Sequence, residues 1–221
     1  MKVIIPVKSN STRIEEKNFK LFYKNQSLCD LQIEKILKIL HPDDIYMSTE
    51  NIYYKKIADK WGINFLLRDK LLTYNETPII DVIRGISSQV DSDDEIMWCQ
   101  VIDPLFDEYE ECINVWNNLD KSKYDSLVVV YPKKNYMLNE NFIPIGFGFG
   151  EKHLISQKLP NMYQITFVMS ILSREAINKV GYYVGSKPYW YEAKNIPLDI
   201  DLEEDWELGS ILYNYYINKS K

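Results

Sequence analysis

Short apolar runs alternate along this chain with longer segments of helical periodicity, and this alternation constrains the fold more than any other feature. The apolar runs have the length of buried strands, whereas the segments between them repeat apolar residues at spacings of three and four. Strands that alternate with helices in this way predict βαβ units around a mainly parallel sheet. We therefore expect an α/β, Rossmann-like sheet flanked by helices, built as a single domain over residues 1–221.

The individual elements follow from the same pattern. The predicted strands span residues 3–7, 45–48, 63–67, 96–102, 126–131, 166–172 and 196–200. The predicted helices span residues 28–40, 53–61, 78–90, 112–119, 173–180 and 203–217. Residues from about 132 to 165 follow neither period, and we interpret them as an irregular insertion. The aromatic stretch Tyr189-Trp190-Tyr191 is expected to pack in the core or in a subunit contact.

Composition narrows the function classes. Apolar residues make up 46% of the chain and the formal net charge is −6, so a globular protein is expected and a nucleic-acid surface is not, because such surfaces are basic. No apolar run is long enough for a signal peptide or a membrane span. The cysteines, Cys29, Cys99 and Cys112, lack metal-binding spacing and are expected to be buried, reduced thiols. These features predict a cytoplasmic protein.

A polar loop after the first predicted strand carries three cations, Lys8, Arg13 and Lys17, within ten residues. Small polar residues between them expose backbone N–H groups, which can form an anion-binding nest. A triphosphate needs both features, because the leaving pyrophosphate must be held and its charge neutralised. The loop by itself is equally compatible with an ordinary solvated surface loop.

The residues of this loop resemble those of a known family. Pro6-x-Lys8-x-x-Ser11-Thr12-Arg13-x-x-x-Lys17 resembles the nucleotide loop of CMP-Kdo synthetases. Read as Lys8-x-Asn10-Ser11 with Lys17-Asn18, it is similar to the loop of CMP-sialic acid (acylneuraminate) synthetases. Further matches follow in family order: Ser48-Thr49-Glu50, Leu67-Arg68 with Thr77, Gln100-x-x-x-Pro104-Leu105 and Asp199-Ile200-Asp201. The resemblance implies a nucleotidyltransferase fold and CTP-dependent cytidylyl transfer.

The resemblance also implies roles for individual residues. Nucleotide binding falls to Pro6, Val7, Lys8, Asn10, Ser11, Thr12, Arg13, Lys17, Ser48 and Thr49, with Lys8, Arg13 and Lys17 as the catalytic cations. The resemblance implies acceptor binding by Arg68, Gln100, Gln157 and Tyr163, and Mg²⁺ binding by Asp199 and Asp201. Asp103, the carboxylate at the end of the predicted strand 96–102, is a further acceptor candidate. The implied partners are CTP and a small acidic acceptor, a keto-deoxy acid sugar such as a sialic-acid-like nonulosonate for surface glycans. The insertion would form a homodimer contact.

Departures from the family pattern keep other functions open. Lys8 stands where the family usually has Arg, and Glu50 where it has Asp. Asp103 belongs to a stretch that replaces small polar residues, and Thr166-Phe167 stands in place of Asn-Gly. These changes leave a phosphosugar or phosphonate acceptor as an alternative. A nucleotide-sugar glycosyltransferase, which can also present an Asp-x-Asp pair, and a non-catalytic nucleotide-binding protein are two further alternatives.

The acidic residues have competing interpretations. Asp199 and Asp201 would share one face of the predicted strand 196–200, and two such carboxylates suit Mg²⁺. They could instead cap the helix that begins near residue 203. In the metal-binding interpretation, Glu204 and Asp205 cap that helix. Asp103 could bind metal, contact the acceptor or cap the helix after Pro104. Gln100 could contact the acceptor, or it could be a buried amide that is hydrogen-bonded within the core.

Overall fold

A computed structural model describes residues 1–219, and the last two residues of the predicted domain lie outside that description. The strands are β1 (Lys2–Pro6), β2 (Leu21–Tyr23), β3 (Gln26–Ser27), β4 (Ile45–Thr49), β5 (Asn64–Leu67), β6 (Ile96–Cys99), β7 (Ser126–Lys133), β8 (Met162–Leu172) and β9 (Pro188–Glu192). The α-helices are α1 (Leu28–Leu37), α2 (Lys55–Trp61), α3 (Ile79–Ser87), α4 (Tyr109–Asn118), α5 (Arg174–Lys179) and α6 (Glu203–Lys219). Single 3₁₀ turns lie at Pro42–Asp44, Ile52–Tyr54, Lys70–Thr73, Gly150–Lys152 and Ser156–Lys158.

Seven strands form the central sheet in the order β5-β4-β1-β6-β8-β7-β9. Strand β8 pairs antiparallel with both of its neighbours, β6 and β7, whereas the other pairings in this sheet are parallel. The predicted α/β architecture with a mainly parallel sheet is therefore confirmed. No helix among residues 1–219 is long and apolar enough to cross a membrane.

The sheet is covered on both faces. Val3, Ile4 and Ile5 of β1 are all fully buried, with Val3 and Ile5 in one apolar cluster and Ile4 in the other. A strand buried on both sides has this continuous apolar composition because neither face meets water. Helix α1 begins at a capping box formed by Ser27 and Asp30, which satisfies two otherwise unpaired N–H groups.

Strand register places the functional segments at one edge. Pro6 of β1 lies beside Ser48 of β4, and Thr49 lies beside Leu67 of β5. The loops that leave these parallel strands therefore begin at the same level. Lys8 and Gln100, which follow β1 and β6, belong to the same edge.

Two sequence predictions are wrong, namely the strand at residues 196–200 and the bounds of the irregular insertion. Residues 196–200 form no strand, and Pro197 explains why, because proline cannot donate to a sheet ladder. The last strand is β9, which pairs with β7 through the aromatic stretch around Trp190. Strands β7 and β8 also extend further than predicted, so the irregular part of the insertion spans residues 134–161. The hairpin of β2 and β3 was not predicted.

Candidate active site

A cleft of about 790 Å³ opens at the carboxyl ends of the parallel strands β1, β4, β5 and β6. Ligands of α/β proteins bind at this edge because the loops after the strands converge there. Nine of the residues predicted from sequence line it: Pro6, Lys8, Asn10, Ser11, Thr12, Arg13, Lys17, Arg68 and Gln100. The structure thus brings together the predicted nucleotide loop and part of the predicted acceptor set.

The loop over residues 7–18 is fixed to the body of the protein. The amide of Asn18 donates to the Lys8 carbonyl at 3.2 Å, which closes the loop at its base. Ile14 is fully buried, and the Tyr54 hydroxyl donates to the Glu16 carboxylate. Phe19 stacks on the same Tyr54 ring with centroids 3.6 Å apart. The loop is therefore anchored at several points, although Thr12, Arg13 and Glu15 between these anchors are exposed.

Glu50 anchors the start of this loop by accepting hydrogen bonds from Ser9. Its carboxylate accepts from the Ser9 N–H at 2.9 Å and from the Ser9 hydroxyl at 2.5 Å. It also lies 3.4 Å from the Arg68 guanidinium, and the two side chains are 6% and 2% exposed. Burial raises the pKa of Glu50, but the hydrogen bonds from Ser9 and the charge of Arg68 outweigh it, so the pKa is lowered. Glu50 is therefore an anion that organises the loop.

The three cations of the loop have different surroundings. Burial, and then the neighbouring charge of Arg68, lower the pKa of Lys8, whose ammonium donates to the Asn75 side-chain oxygen at 3.5 Å. Arg13 lies 2.7 Å from the Asp201 carboxylate. Lys17 lies 3.5 Å from the same oxygen of Asp201 and donates to the Ile200 carbonyl. Phosphate ligands would meet one cation that is bonded to a neutral amide and two that are paired with a single aspartate.

Three residues predicted to bind nucleotide lie beneath the cleft rather than in its lining. Val7, Ser48 and Thr49 are fully buried. The Val7 carbonyl accepts from Arg68 at 2.8 Å, and its N–H donates to the Ser48 carbonyl at 2.9 Å. These residues support the loop and Arg68, because their polar groups connect neighbouring strand ends.

Asp199 and Asp201 lie on an irregular segment, so the prediction that they share a strand face is wrong. Neither side chain lines the cleft, although Asp201 contacts Arg13, which does. Although Asp199 is exposed, desolvation by nearby protein atoms and then the charge of Asp201 raise its pKa. Asp205 accepts from the Asp201 and Leu202 N–H groups, which confirms its predicted capping role at α6.

The acidic pair fits Mg²⁺ by its donor chemistry. Two carboxylates beside a cation-lined cleft match the habit of this ion, which takes one or two carboxylates and completes its shell with substrate phosphates and water. Within residues 1–219 there is no group of three or more acidic, histidine or cysteine side chains that would form a closed metal site. An open site that depends on phosphate oxygens is therefore the arrangement that these residues allow.

The predicted acceptor residues separate into two groups. Arg68 and Gln100 line the cleft, whereas Asp103, Gln157 and Tyr163 do not. Asp103 is 6% exposed and accepts from the N–H groups of Leu105 and Leu198. It does not cap the following helix, because α4 begins only at Tyr109.

The other two acceptor candidates lie on or beside the insertion. The Tyr163 hydroxyl donates to Glu192 of β9 at 2.9 Å. Gln157 is exposed, and its carbonyl accepts from Lys134 at 3.1 Å. Neither reaches the cleft of its own chain, so their predicted role requires a second chain.

Sequence reasoning missed one wall of the cleft. This wall consists of Lys70, Leu72, Thr73, Tyr74, Asn75, Glu76, Ile79 and Val82, with Trp98 and Tyr183. The polar stretch 73–77 between a strand and a helix is a local signal that could have indicated it. Tyr183 gives no such signal, because only the tertiary fold brings it beside Arg68. Burial raises the pKa of Tyr183 to about 12, although the charge of Arg68 acts to lower it.

A cytidylyltransferase family model and curated relatives match this chain. A family model described as cytidylyltransferase matches residues 2–143. The chain is 23% identical to the N-acylneuraminate cytidylyltransferases of Streptococcus agalactiae serotypes V and III, over 99% of this chain and 55% of each relative. The chain therefore spans about half the length of these curated relatives.

Solved structures share the fold. The structure of CMP:2-keto-3-deoxy-manno-octonic acid synthetase complexed with CTP has a TM-score of 0.70 at 10% identity, covering 97% of this chain and 98% of that one. A 4-diphosphocytidyl-2C-methyl-D-erythritol synthase from Anaerococcus prevotii has a TM-score of 0.63 at 8% identity, covering 96% of each chain. With the family model matching well over half of its length, the chain belongs to the cytidylyltransferase family.

Proposed function

We propose that this chain transfers CMP from CTP to a nonulosonic or other keto-deoxy acid sugar, with release of pyrophosphate, for surface glycan synthesis. The observation that carries the proposal is the loop of Lys8, Arg13 and Lys17, held rigidly along a cleft at the carboxyl ends of the strands. The 23% identity to N-acylneuraminate cytidylyltransferases supports the choice of acceptor class.

The chemistry requires positioning and charge neutralisation. A hydroxyl oxygen of the acceptor attacks the α-phosphorus of CTP and loses its proton to solvent, and the bond from that phosphorus to the pyrophosphate oxygen breaks. Negative charge then grows on the leaving pyrophosphate, where Lys8, Arg13 and Lys17 stabilise it. The rigid loop contributes because its donors need no rearrangement during the reaction.

Asp199 and Asp201 are the residues that would hold Mg²⁺. When bound, the ion supplies charge neutralisation at the phosphates. Asp201 also pairs with Arg13 at 2.7 Å and with Lys17 at 3.5 Å. A triphosphate that attracts these cations would release the Asp201 carboxylate for the metal, so nucleotide and Mg²⁺ are expected to bind cooperatively.

Of the predicted acceptor residues, Arg68 and Gln100 line the cleft within one chain. Gln157 and Tyr163 would join them from a partner chain. A homodimer is favoured by the large apolar side chains that the insertion exposes, including Phe142 at 79% and Phe149 at 70%. Exposed apolar surface of this kind is typical of contact regions.

The proposal is tested by pyrophosphate release from CTP over a panel of 2-keto-3-deoxy acids, phosphosugars and phosphonates, with Mg²⁺. Turnover with a keto-deoxy acid supports it. Turnover only with a phosphoryl acceptor identifies the alternative cytidylyltransferase. Binding of a preformed nucleotide sugar without pyrophosphate release identifies a glycosyltransferase. Thermal stabilisation by CTP without any turnover identifies a nucleotide-binding protein.

A further inference from the structure

The segment that carries Asp199 and Asp201 has neither helix nor strand to hold it. Its backbone is tied instead to the turn that follows β6. The Leu198 N–H donates to the Asp103 carboxylate at 3.1 Å, and the Ile200 N–H donates to the Ile102 carbonyl at 2.9 Å. Asp199 stands between these two tied residues, so the turn determines where its backbone lies.

The turn itself is fixed. The second oxygen of Asp103 accepts from the Leu105 N–H at 2.8 Å. Lys35 of α1 donates to the carbonyls of Pro104 and Phe106, at 2.5 and 2.7 Å. Because Asp103 is only 6% exposed, these N–H groups rather than water satisfy its carboxylate.

The opposite side of the segment packs closely against α6. Ile200 is fully buried. A Cβ atom added at Gly209 would lie 3.0 Å from Leu198 and 3.1 Å from Ile200, so glycine permits this close approach. The segment therefore has an apolar anchor on one side and the Asp103 carboxylate on the other.

We propose that Asp103 is a positioning residue for Mg²⁺ binding, which fixes the backbone beside Asp199 so that this carboxylate and Asp201 meet one ion. The inference rests on the proposed function, because it requires the acidic pair to bind metal. Asp103 itself lies outside the cleft lining. Residues that orient metal ligands in this indirect way typically change metal affinity by about 10–100-fold when substituted.

The chain offers a matched control in Glu108. This carboxylate is also buried, at 3% exposed, and accepts the backbone N–H of Lys194 at 2.9 Å. It also accepts from the Tyr191 hydroxyl at 2.8 Å. Glu108 thus ties the same stretch of chain at Lys194, five residues before Asp199 rather than directly beside it.

The experiment uses Mn²⁺ as the probe, with its binding followed by electron paramagnetic resonance in the presence of CTP. In Asp103→Asn one side-chain oxygen becomes an NH₂ donor facing a backbone donor, so one tie is lost. We expect about 10–100-fold weaker Mn²⁺ binding, near-normal kcat at saturating Mg²⁺, and faster amide exchange over residues 195–202. Glu108→Gln should leave Mn²⁺ affinity unchanged. Asp103→Ser, too short to reach Leu198, should behave like Asp103→Asn.

Several results would overturn the inference. Unchanged Mn²⁺ affinity in both Asp103 variants would do so, and so would an equal loss in Glu108→Gln, which would indicate general loosening. Asp201→Ala separates this failure from failure of the proposed metal site. If Asp201→Ala binds Mn²⁺ normally, the acidic pair is not the metal site. If Asp201→Ala loses Mn²⁺ while the Asp103 variants retain it, only the positioning role is wrong.

Discussion

The nucleotide loop over residues 7–18 and the insertion over residues 134–161 both lack long regular elements, yet they differ in how they are held. The loop is tied at Ser9, at Asn18 and at Glu16 to residues outside or at the base of it. The insertion is held mainly by itself, as in the bond from the Tyr136 hydroxyl to the Leu154 carbonyl at 2.7 Å. Polar groups therefore anchor the irregular backbone of the loop, whereas the irregular insertion exposes apolar side chains.

This contrast shows which half of the site one chain completes. The loop needs no partner to present its cations. The insertion exposes large apolar side chains, and exposed apolar surface of this kind is typical of a contact with another chain. Substitutions in the loop and in the insertion test this difference.

The largest effect is expected from Glu50→Gln, which removes the anion beneath the loop. The buried Arg68 guanidinium would lose its charged partner, and breaking such pairs typically destabilises by about 3–5 kcal/mol. Because the pKa of Glu50 is lowered, this contribution is present at neutral pH and is lost as the pH falls through that lowered value. Urea unfolding measures the change. Lys38→Gln, which breaks the exposed pair with Glu34, is the control and should shift the midpoint little.

A large effect on turnover is expected from Lys17→Ala. Loss of one preorganised donor to developing charge typically lowers turnover by about 10²–10³-fold, so kcat/KM for CTP should fall by that amount. Lys20→Ala is the matched control, because Lys20 pairs with Glu203 at 3.4 Å and does not line the cleft. Equal activity in the two variants would contradict a catalytic role for Lys17.

A smaller effect, confined to assembly, is expected from Phe142→Asp in the insertion. A charge at the centre of an apolar contact should weaken dimerisation by about tenfold or more, which corresponds to about 1.4 kcal/mol. Sedimentation equilibrium measures it. Ile211→Asp on α6, where the side chain is 66% exposed, serves as the control. A monomeric parent protein, or equal weakening in both variants, would show that the insertion is not the contact.

The smallest effect is expected in the pH dependence of CTP binding. The lowered pKa of Lys8 means that its ammonium loses its proton at a lower pH than an ordinary lysine. Because phosphate binding favours the charged form, the KM for CTP should rise several-fold as the pH rises through that value. Lys8→Arg keeps its charge throughout and should flatten the profile. A parallel rise in both proteins would assign the titration to another group.

The predicted strands and helices agree with the structure where local pattern and tertiary packing act together. Continuous apolar runs located β1, β4 and β6, and Gly62 marked the end of α2 with its positive φ of 67°. The pattern failed at residues 196–200, where Pro197 interrupts pairing, and at β9, whose aromatic residues indicate a strand only once β7 lies beside them.

The sequence by itself determined the parallel sheet, the loop of cations and the aspartates that stand near α6, because these depend on periodicity and on short spacing. Only the tertiary structure decided what each charge meets. It joined Arg13 and Lys17 to Asp201 across more than 180 residues, at 2.7 and 3.5 Å, and it turned Asp103 from a site candidate into a support for Leu198. Contacts between residues so far apart in the chain leave no local pattern, since they arise from strand order and packing.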